Sequence, residues 1–77
     1  MKIQLRVFGP ITDVLQNQEL DLAEQTAVSQ FREMLLLQYP ALNQQTFVIA
    51  VNHKMAEADL ILTKGDELAL LPPFSGG

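Results

Sequence analysis

The sequence contains no cysteine and no tryptophan, and only one histidine and one tyrosine among its 77 residues. Without cysteine there is neither a disulfide framework nor a thiolate metal site, so we expect a cytoplasmic protein. No apolar run approaches the length of a membrane span, and the N-terminus alternates polar and aliphatic residues instead of forming the apolar core of a signal peptide. We therefore expect no membrane contact.

Basic residues are also few. Five Lys and Arg stand against nine Asp and Glu, which gives a net charge of −4. Nucleic-acid binding needs clustered cations, and these five are scattered, so we expect no nucleic-acid partner. The hydrophobic fraction is 48%, which is high for so short a chain. Because a domain of this size buries only about 60% of its unfolded surface, some apolar surface should remain available to a partner.

Side chains that could carry catalysis are sparse. The sequence has no glycine-rich phosphate-binding motif and no cysteine nucleophile. His53 lies in a predicted turn without a nucleophile beside it, so we interpret it as a solvated residue. The acidic residues at 57 and 59 and at 66 and 67 have turn-like spacing and lack the further ligands of a metal site. Ser75 has no base in the same segment and is interpreted as a polar spacer.

Alternation predicts the first strand. Aliphatic residues at 3, 5 and 7 share one face, and the other face carries polar residues followed by Phe8. Phe8 is either covered locally or part of an exposed patch. Gly9 and Pro10 end this strand, and residues 11–16 can form a short helical turn with Thr12 or Asp13 as its cap. A second strand, antiparallel to the first, is predicted over residues 19–23.

The main helix is predicted over residues 26–39, with Thr26 as N-cap and Pro40 as the stop. Its apolar row includes Val28, Phe31 and Leu35, which should pack on a sheet. Residues 47–51 show no alternation. They predict a strand that is covered on both faces, or one whose second face meets a partner.

The remaining segments are short. We expect an edge strand over 55–58, a helical turn or short strand over 60–62, and a turn over 63–66 with Gly65 at positive φ. The last strand, 67–71, directs Leu68 and Leu70 inward. The order of elements predicts an α+β fold, in which a mixed sheet carries one helix across one face and its first and last strands lie parallel in the centre. This gives one domain over 1–71 and a flexible tail over 72–77.

The tail has a stiff root and a narrow tip. Pro72 and Pro73 restrict the backbone, whereas Gly76 and Gly77 remove every side chain at the end. Fully extended, the six residues could reach roughly 20 Å, far enough to enter another protein's active site. The terminal carboxylate is a poor electrophile and reacts only after activation, for example as an acyl adenylate. The alternative is an ordinary frayed terminus, which the Gly-Gly pair alone favours.

Residues 66–77, with the sequence DELALLPPFSGG, resemble the C-terminal signature of the small subunit of molybdopterin synthase, the MoaD-type sulfur carriers of the MoaD/ThiS family. Those chains end in G-D-E, a hydrophobic strand, Pro-Pro, a small spacer and Gly-Gly. The similarity extends over the whole chain, because residues 50–52 (AVN), the proline-ended helix and the aromatic end of the first strand also agree. Phe74 departs from the pattern, since a β-branched residue is usual there.

The resemblance implies a ubiquitin-like β-grasp fold without a permanently bound cofactor. Gly77 would be adenylated with ATP by a separate, E1-like activating enzyme and then converted to a thiocarboxylate. Its sulfur would pass to precursor Z and form the dithiolene of molybdopterin within the large subunit of molybdopterin synthase. The small subunit would be a non-catalytic sulfur donor in a heterotetramer, with the catalytic side chains on the large subunit.

The resemblance also assigns residues. An exposed patch of Phe8, Met55 and Leu71 would dock the partner. The tail residues would thread into the large subunit ahead of Gly77: Pro72, Pro73, Phe74, Ser75 and Gly76. One alternative is a thiamine-pathway sulfur carrier, which shares the fold and the Gly-Gly end but usually lacks Pro-Pro. The other is a ubiquitin-like modifier or a passive interaction module.

Overall fold

The protein folds into a five-stranded sheet with one α-helix across one face. The structure is a computed structural model, and it describes residues 1–73. The strands are β1 (Lys2–Val7), β2 (Gln18–Asp21), β3 (Val48–Val51), β4 (Lys54–Met55) and β5 (Glu67–Leu71). The helix is α1 (Val28–Gln38), and two 3₁₀ helices span Gly9–Asp13 and Pro40–Gln44.

The sheet is mixed, with the strand order β2-β1-β5-β3-β4. β1 and β5 are parallel and paired so that Leu5 lies opposite Leu68, whereas the other neighbouring strands are antiparallel. The predicted parallel pair of first and last strands is therefore confirmed. It makes β5 the strand that joins the two halves of the sheet, and its C-terminal end leads into the tail.

The core lies between α1 and one face of the sheet. β1 and β5 alternate between exposed or half-buried residues and buried ones, as the sequence predicted. Phe31 and Leu35 of α1 are fully buried against Leu5 and the other inward residues of the sheet. Burial of each such side chain contributes about 1.5–3 kcal/mol, so the helix is held mainly by this packing.

The start of α1 differs from the prediction. Ala27, not Thr26, occupies the N-cap position, and the Thr26 hydroxyl instead donates to the carbonyl oxygen of Ala23 at 2.6 Å. The first helical N–H groups, of Val28 and Ser29, donate 2.9 Å hydrogen bonds to carbonyl oxygens of the loop over residues 56–62. Backbone from a distant segment thus supplies the acceptors that a capping side chain would otherwise provide.

Other boundaries shift by a few residues. β2 begins one residue early and ends at Asp21, although Leu22 is still buried; β3 begins at Val48, and β4 contains two residues only. Neither predicted cap of the first turn is used, because no side chain caps this 3₁₀ helix and the Thr12 hydroxyl donates to the carbonyl oxygen of Gly9. Ile61 forms an isolated antiparallel bridge with Ala27, so residues 60–62 are extended rather than helical.

Candidate functional site: the outer sheet face and the root of the tail

The sheet face that α1 leaves uncovered has a floor of small side chains. In the register of the strands, Arg6, Ala69, Ala50 and Met55 form one row across β1, β5, β3 and β4. The two alanines occupy the middle of this row. Ala50 points away from the core and is still only 5% exposed, because larger neighbours surround it. The centre of this face is therefore a depression.

Apolar side chains form one wall of the depression. Phe8 is 43% exposed, Met55 is 64% exposed and Leu71 is half-buried, and all three line the same space of about 600 Å³. Of the two alternatives for Phe8, the exposed patch is the one observed. The structure thus brings together the three residues predicted as a patch, and their role in docking stays a prediction.

A charged wall closes the other side. The Arg6 Nε donates to Glu67 Oε2 at 2.8 Å, and His53 Nε2 lies 3.3 Å from Glu67 Oε1. His53 is exposed, as expected, and belongs to the two-residue turn between β3 and β4. Asn52 and His53 both have positive φ, 51° and 71°, which is typical of a type I′ hairpin turn.

Asn52 joins this turn to the start of β5, a role that the sequence did not predict. Its Nδ2 donates to Asp66 Oδ1 at 2.9 Å, while its Oδ1 accepts from the Glu67 N–H at 3.0 Å. Asp66 also accepts from the N–H and hydroxyl groups of Thr63, within the turn where Gly65 has φ +85°. The AVN and GDE segments quoted for the resemblance thus supply three residues of one hydrogen-bonded cluster: Asn52, Asp66 and Glu67.

The Asp66 carboxylate is therefore structural, whereas its turn-like spacing in the sequence is that of a solvated loop residue. Partial burial raises its pKa, but the hydrogen bonds from the Thr63 N–H, the Asn52 amide and the Thr63 hydroxyl outweigh this effect and hold the pKa below the ordinary value of an aspartate. The predicted turn over 63–66, with Gly65 at positive φ, is confirmed. Asn52 could not be predicted as a partner, because 14 residues separate it from Asp66.

The root of the tail packs against the domain. Pro72 is half-buried beside Gly9, and a Cβ on Gly9 would lie 3.1 Å from Pro72 Cγ. Gly9 also has φ +63°, a conformation that other residues rarely adopt. Pro73 is exposed. The predicted tail residues Phe74, Ser75, Gly76 and Gly77 lie outside the described residues.

Two further features were sought in residues 1–73, a metal-ligand cluster and a membrane-spanning helix. No group of three or more His, Asp or Glu side chains in this range could hold a metal ion. Nor does the described part of the chain contain a helix of the length and apolarity that a bilayer crossing requires.

Comparison with known proteins supports one family. A model of the ThiS family matches residues 5–77. The chain belongs to this family. The molybdopterin synthase sulfur carrier subunit of Mycobacterium tuberculosis is a relative, 29% identical over 82 residues, with 100% of this chain and 99% of the relative covered. In sequence, this ThiS family member is thus similar to a sulfur carrier over its entire length.

Solved structures of other proteins have the same fold as this chain. A chain in the complex of subunits 1 and 2 of the molybdopterin-converting factor from Helicobacter pylori is 28% identical, with full coverage of both chains and a TM-score of 0.74. A putative molybdopterin converting factor subunit 1 from Pyrococcus furiosus is 20% identical and has a TM-score of 0.86, with 95% of this chain and 98% of that chain covered. The predicted ubiquitin-like β-grasp fold is confirmed for this member of the ThiS family.

Proposed function

We propose that this protein is the sulfur-carrier small subunit of molybdopterin synthase. The observation that carries the proposal is the place where the tail begins: the central strand β5 ends at Leu71, which lines the apolar depression on the free sheet face, and leads directly into Pro72. A partner docked on this face would lie next to the segment that ends in Gly76 and Gly77. The full-length similarity to a molybdopterin synthase sulfur carrier subunit supports this function over a general interaction module.

The reaction that we propose uses the C-terminal carboxylate. A carboxylate oxygen attacks the α-phosphorus of ATP on a separate activating enzyme, which releases pyrophosphate and gives an acyl adenylate at Gly77. A sulfur nucleophile at the oxidation level of sulfide then displaces AMP and leaves a thiocarboxylate. In the large subunit this sulfur passes to precursor Z, and an oxygen from water restores the carboxylate.

Side chains of the carrier take no chemical part in this scheme. Ser75 has no base beside it in the sequence, and within residues 1–73 the charged group that pairs with His53 is the carboxylate of Glu67. The carrier instead provides reach and access, because Gly76 and Gly77 have no side chain that would block a nucleophile or a narrow channel. The catalytic groups belong to the activating enzyme and the large subunit.

The test is the intact mass of the protein after incubation with the activating enzyme, ATP and a sulfur source. We expect one oxygen to be replaced by sulfur at the C-terminus. Deletion of Gly77, or extension of the chain by one residue beyond it, should abolish this change while the circular dichroism spectrum stays that of the wild type. If sulfur transfer survived either change, the carrier mechanism would be wrong.

A second incubation separates the two sulfur-carrier pathways. The thiocarboxylated protein is mixed with the large subunit and precursor Z, and formation of molybdopterin is measured. We expect the product to form and the protein to lose its sulfur. A thiocarboxylate that forms but does not react with precursor Z would favour the thiamine-pathway carrier.

A further inference from the structure

The depression on the outer sheet face has the form of a socket. Ala50 and Ala69 are directly opposite each other in β3 and β5, and the next outward position on each of these strands carries a larger side chain, Val48 or Leu71. The side chains of Ala50 and Ala69 are single methyl groups, so the space above them, between the larger neighbouring side chains, has room for one inserted side chain. Buried pockets of this kind at an interface receive aromatic or large aliphatic anchors, which contribute most of the binding energy.

The charged wall of this socket has unused hydrogen-bonding capacity. Both carboxylate oxygens of Glu67 are engaged, Oε1 by His53 and Oε2 by Arg6. Arg6 has five N–H donors, and within residues 1–73 its guanidinium makes one hydrogen bond, through Nε. A partner that covers this wall removes water from the remaining donors, which is costly unless the partner supplies acceptors.

We propose that the socket binds one bulky apolar side chain of the large synthase subunit, and that a carboxylate of that subunit beside this side chain pairs with Arg6. This inference rests on the proposed function and adds the chemistry of the partner. A carboxylate is the acceptor that suits a guanidinium best, because it can accept two parallel, charge-assisted hydrogen bonds. The socket also touches Leu71, so the anchor lies next to the root of the tail.

A second copy of this chain fits the socket less well. A second copy would offer Arg6 the same socket, whose acidic residue within the described chain, Glu67, is already paired with the Arg6 and His53 of its own copy. The H. pylori structure that is similar to this chain is a complex between two different subunits. Both observations favour a different protein as the occupant.

The first test fills the socket. Ala69→Leu places a large side chain on its floor, and the dissociation constant of the complex with the large subunit is measured by isothermal titration calorimetry. We expect affinity to fall by roughly 10- to 100-fold, as overpacking of a well-filled site does. Ala41→Leu is the matched control, since it makes the same change at an exposed position on the 3₁₀ helix Pro40–Gln44 and should bind like the wild type.

The second test removes the charge. Arg6→Gln should weaken binding by about 10-fold and reduce the dependence of affinity on salt concentration, because an ion pair across the interface is lost. Lys64→Gln removes one positive charge from an exposed turn and is the control for the change in net charge. Because Arg6 is exposed, this variant should fold even if Ala69→Leu does not.

The outcomes separate this inference from the proposed function. If the wild type binds the large subunit and acquires sulfur, but Ala69→Leu and Arg6→Gln bind as tightly as it does, the socket is not the contact and the inference is wrong. A wild-type dimer in sedimentation equilibrium that Ala69→Leu dissociates would likewise overturn it, since the occupant would then be a second copy. A wild type that neither binds nor acquires sulfur refutes the proposed function itself.

Discussion

At the scale of single residues, the hydrogen bonds around Asp66 hold three segments together. This carboxylate accepts from Thr63 within its own turn and from Asn52 on the neighbouring hairpin, and Asn52 also accepts from the Glu67 N–H. The cluster fixes the point at which β5 begins. The charged wall depends on it indirectly, because Glu67 is the next residue and pairs with Arg6.

This cluster predicts how stability depends on pH. The folded-state pKa of Asp66 is lowered, so its contribution is fully present above the unfolded pKa of about 3.9 and is lost as pH falls through the folded value. We expect Asp66→Asn to lower the free energy of unfolding by about 1 kcal/mol at neutral pH. The difference from the wild type should shrink below about pH 4. Urea unfolding at a series of pH values measures it.

The control for this prediction is Asp13→Asn, at an exposed carboxylate that makes no hydrogen bond with residues 1–73. Its free energy of unfolding at neutral pH should equal that of the wild type. A residual acid dependence is expected in all variants, because the hydrogen bond and charge of the N-terminal ammonium, together with the charge of Lys2, also lower the pKa of Asp21. If the free energy of unfolding of Asp66→Asn stayed below that of the wild type by the same amount in strong acid, the lowered pKa of Asp66 would not be the cause of the difference.

At the scale of elements, the sequence predicted best what depends on nearby residues. Alternation identified β1 and β5, and the row of Val28, Phe31 and Leu35 identified the face that α1 buries. The start of α1 was wrong by one to two residues because its N–H groups bond to carbonyl oxygens of the loop over 56–62, which lies far along the chain. Local preference for Thr at an N-cap could not reveal that competing contact.

The junction of β1 with the tail root gives a prediction at this scale. Gly9→Ala and Gly65→Ala should each lower the free energy of unfolding by about 1–2 kcal/mol, because both positions have positive φ. Only Gly9→Ala should also displace Pro72, since a Cβ there would lie 3.1 Å from Pro72 Cγ, whereas nothing lies within 4 Å at Gly65. NMR chemical shifts of Leu71 and Pro72 report this difference. If the chemical shifts of Leu71 and Pro72 changed from their wild-type values by the same amount in both variants, Gly9 would not position the root of the tail.

At the scale of the whole molecule, the two faces of the sheet differ in composition and packing. One side packs on α1 and forms the core, whereas the other carries the apolar wall, the charged wall and the alanine floor between them. The sequence could predict that Phe8, Met55 and Leu71 point away from the core. The floor and the Arg6–Glu67–His53 contacts could not be predicted, because they depend on strand order and register across four strands.

This division predicts opposite results for two exposed apolar residues. Phe8→Asp should weaken binding to the large subunit by at least roughly 10-fold, because a carboxylate in a desolvated apolar contact is costly. Leu37→Asp makes the same kind of change at a residue of α1 that is 82% exposed, and its affinity should equal that of the wild type. Calorimetric titration measures both. Equal affinities for Phe8→Asp and the wild type would place the docking surface elsewhere.

The position of β5 between β1 and β3 has a mechanical consequence. In the proposed function a partner would grip the tail and pull along β5, whose two edges are both hydrogen-bonded, so that the two ladders would share the load. A strand at the border of the sheet, pulled outward from its end, could peel away one bond at a time. If the tail is inserted and withdrawn as proposed, the central position of β5 would let it transmit tension while the domain remains folded.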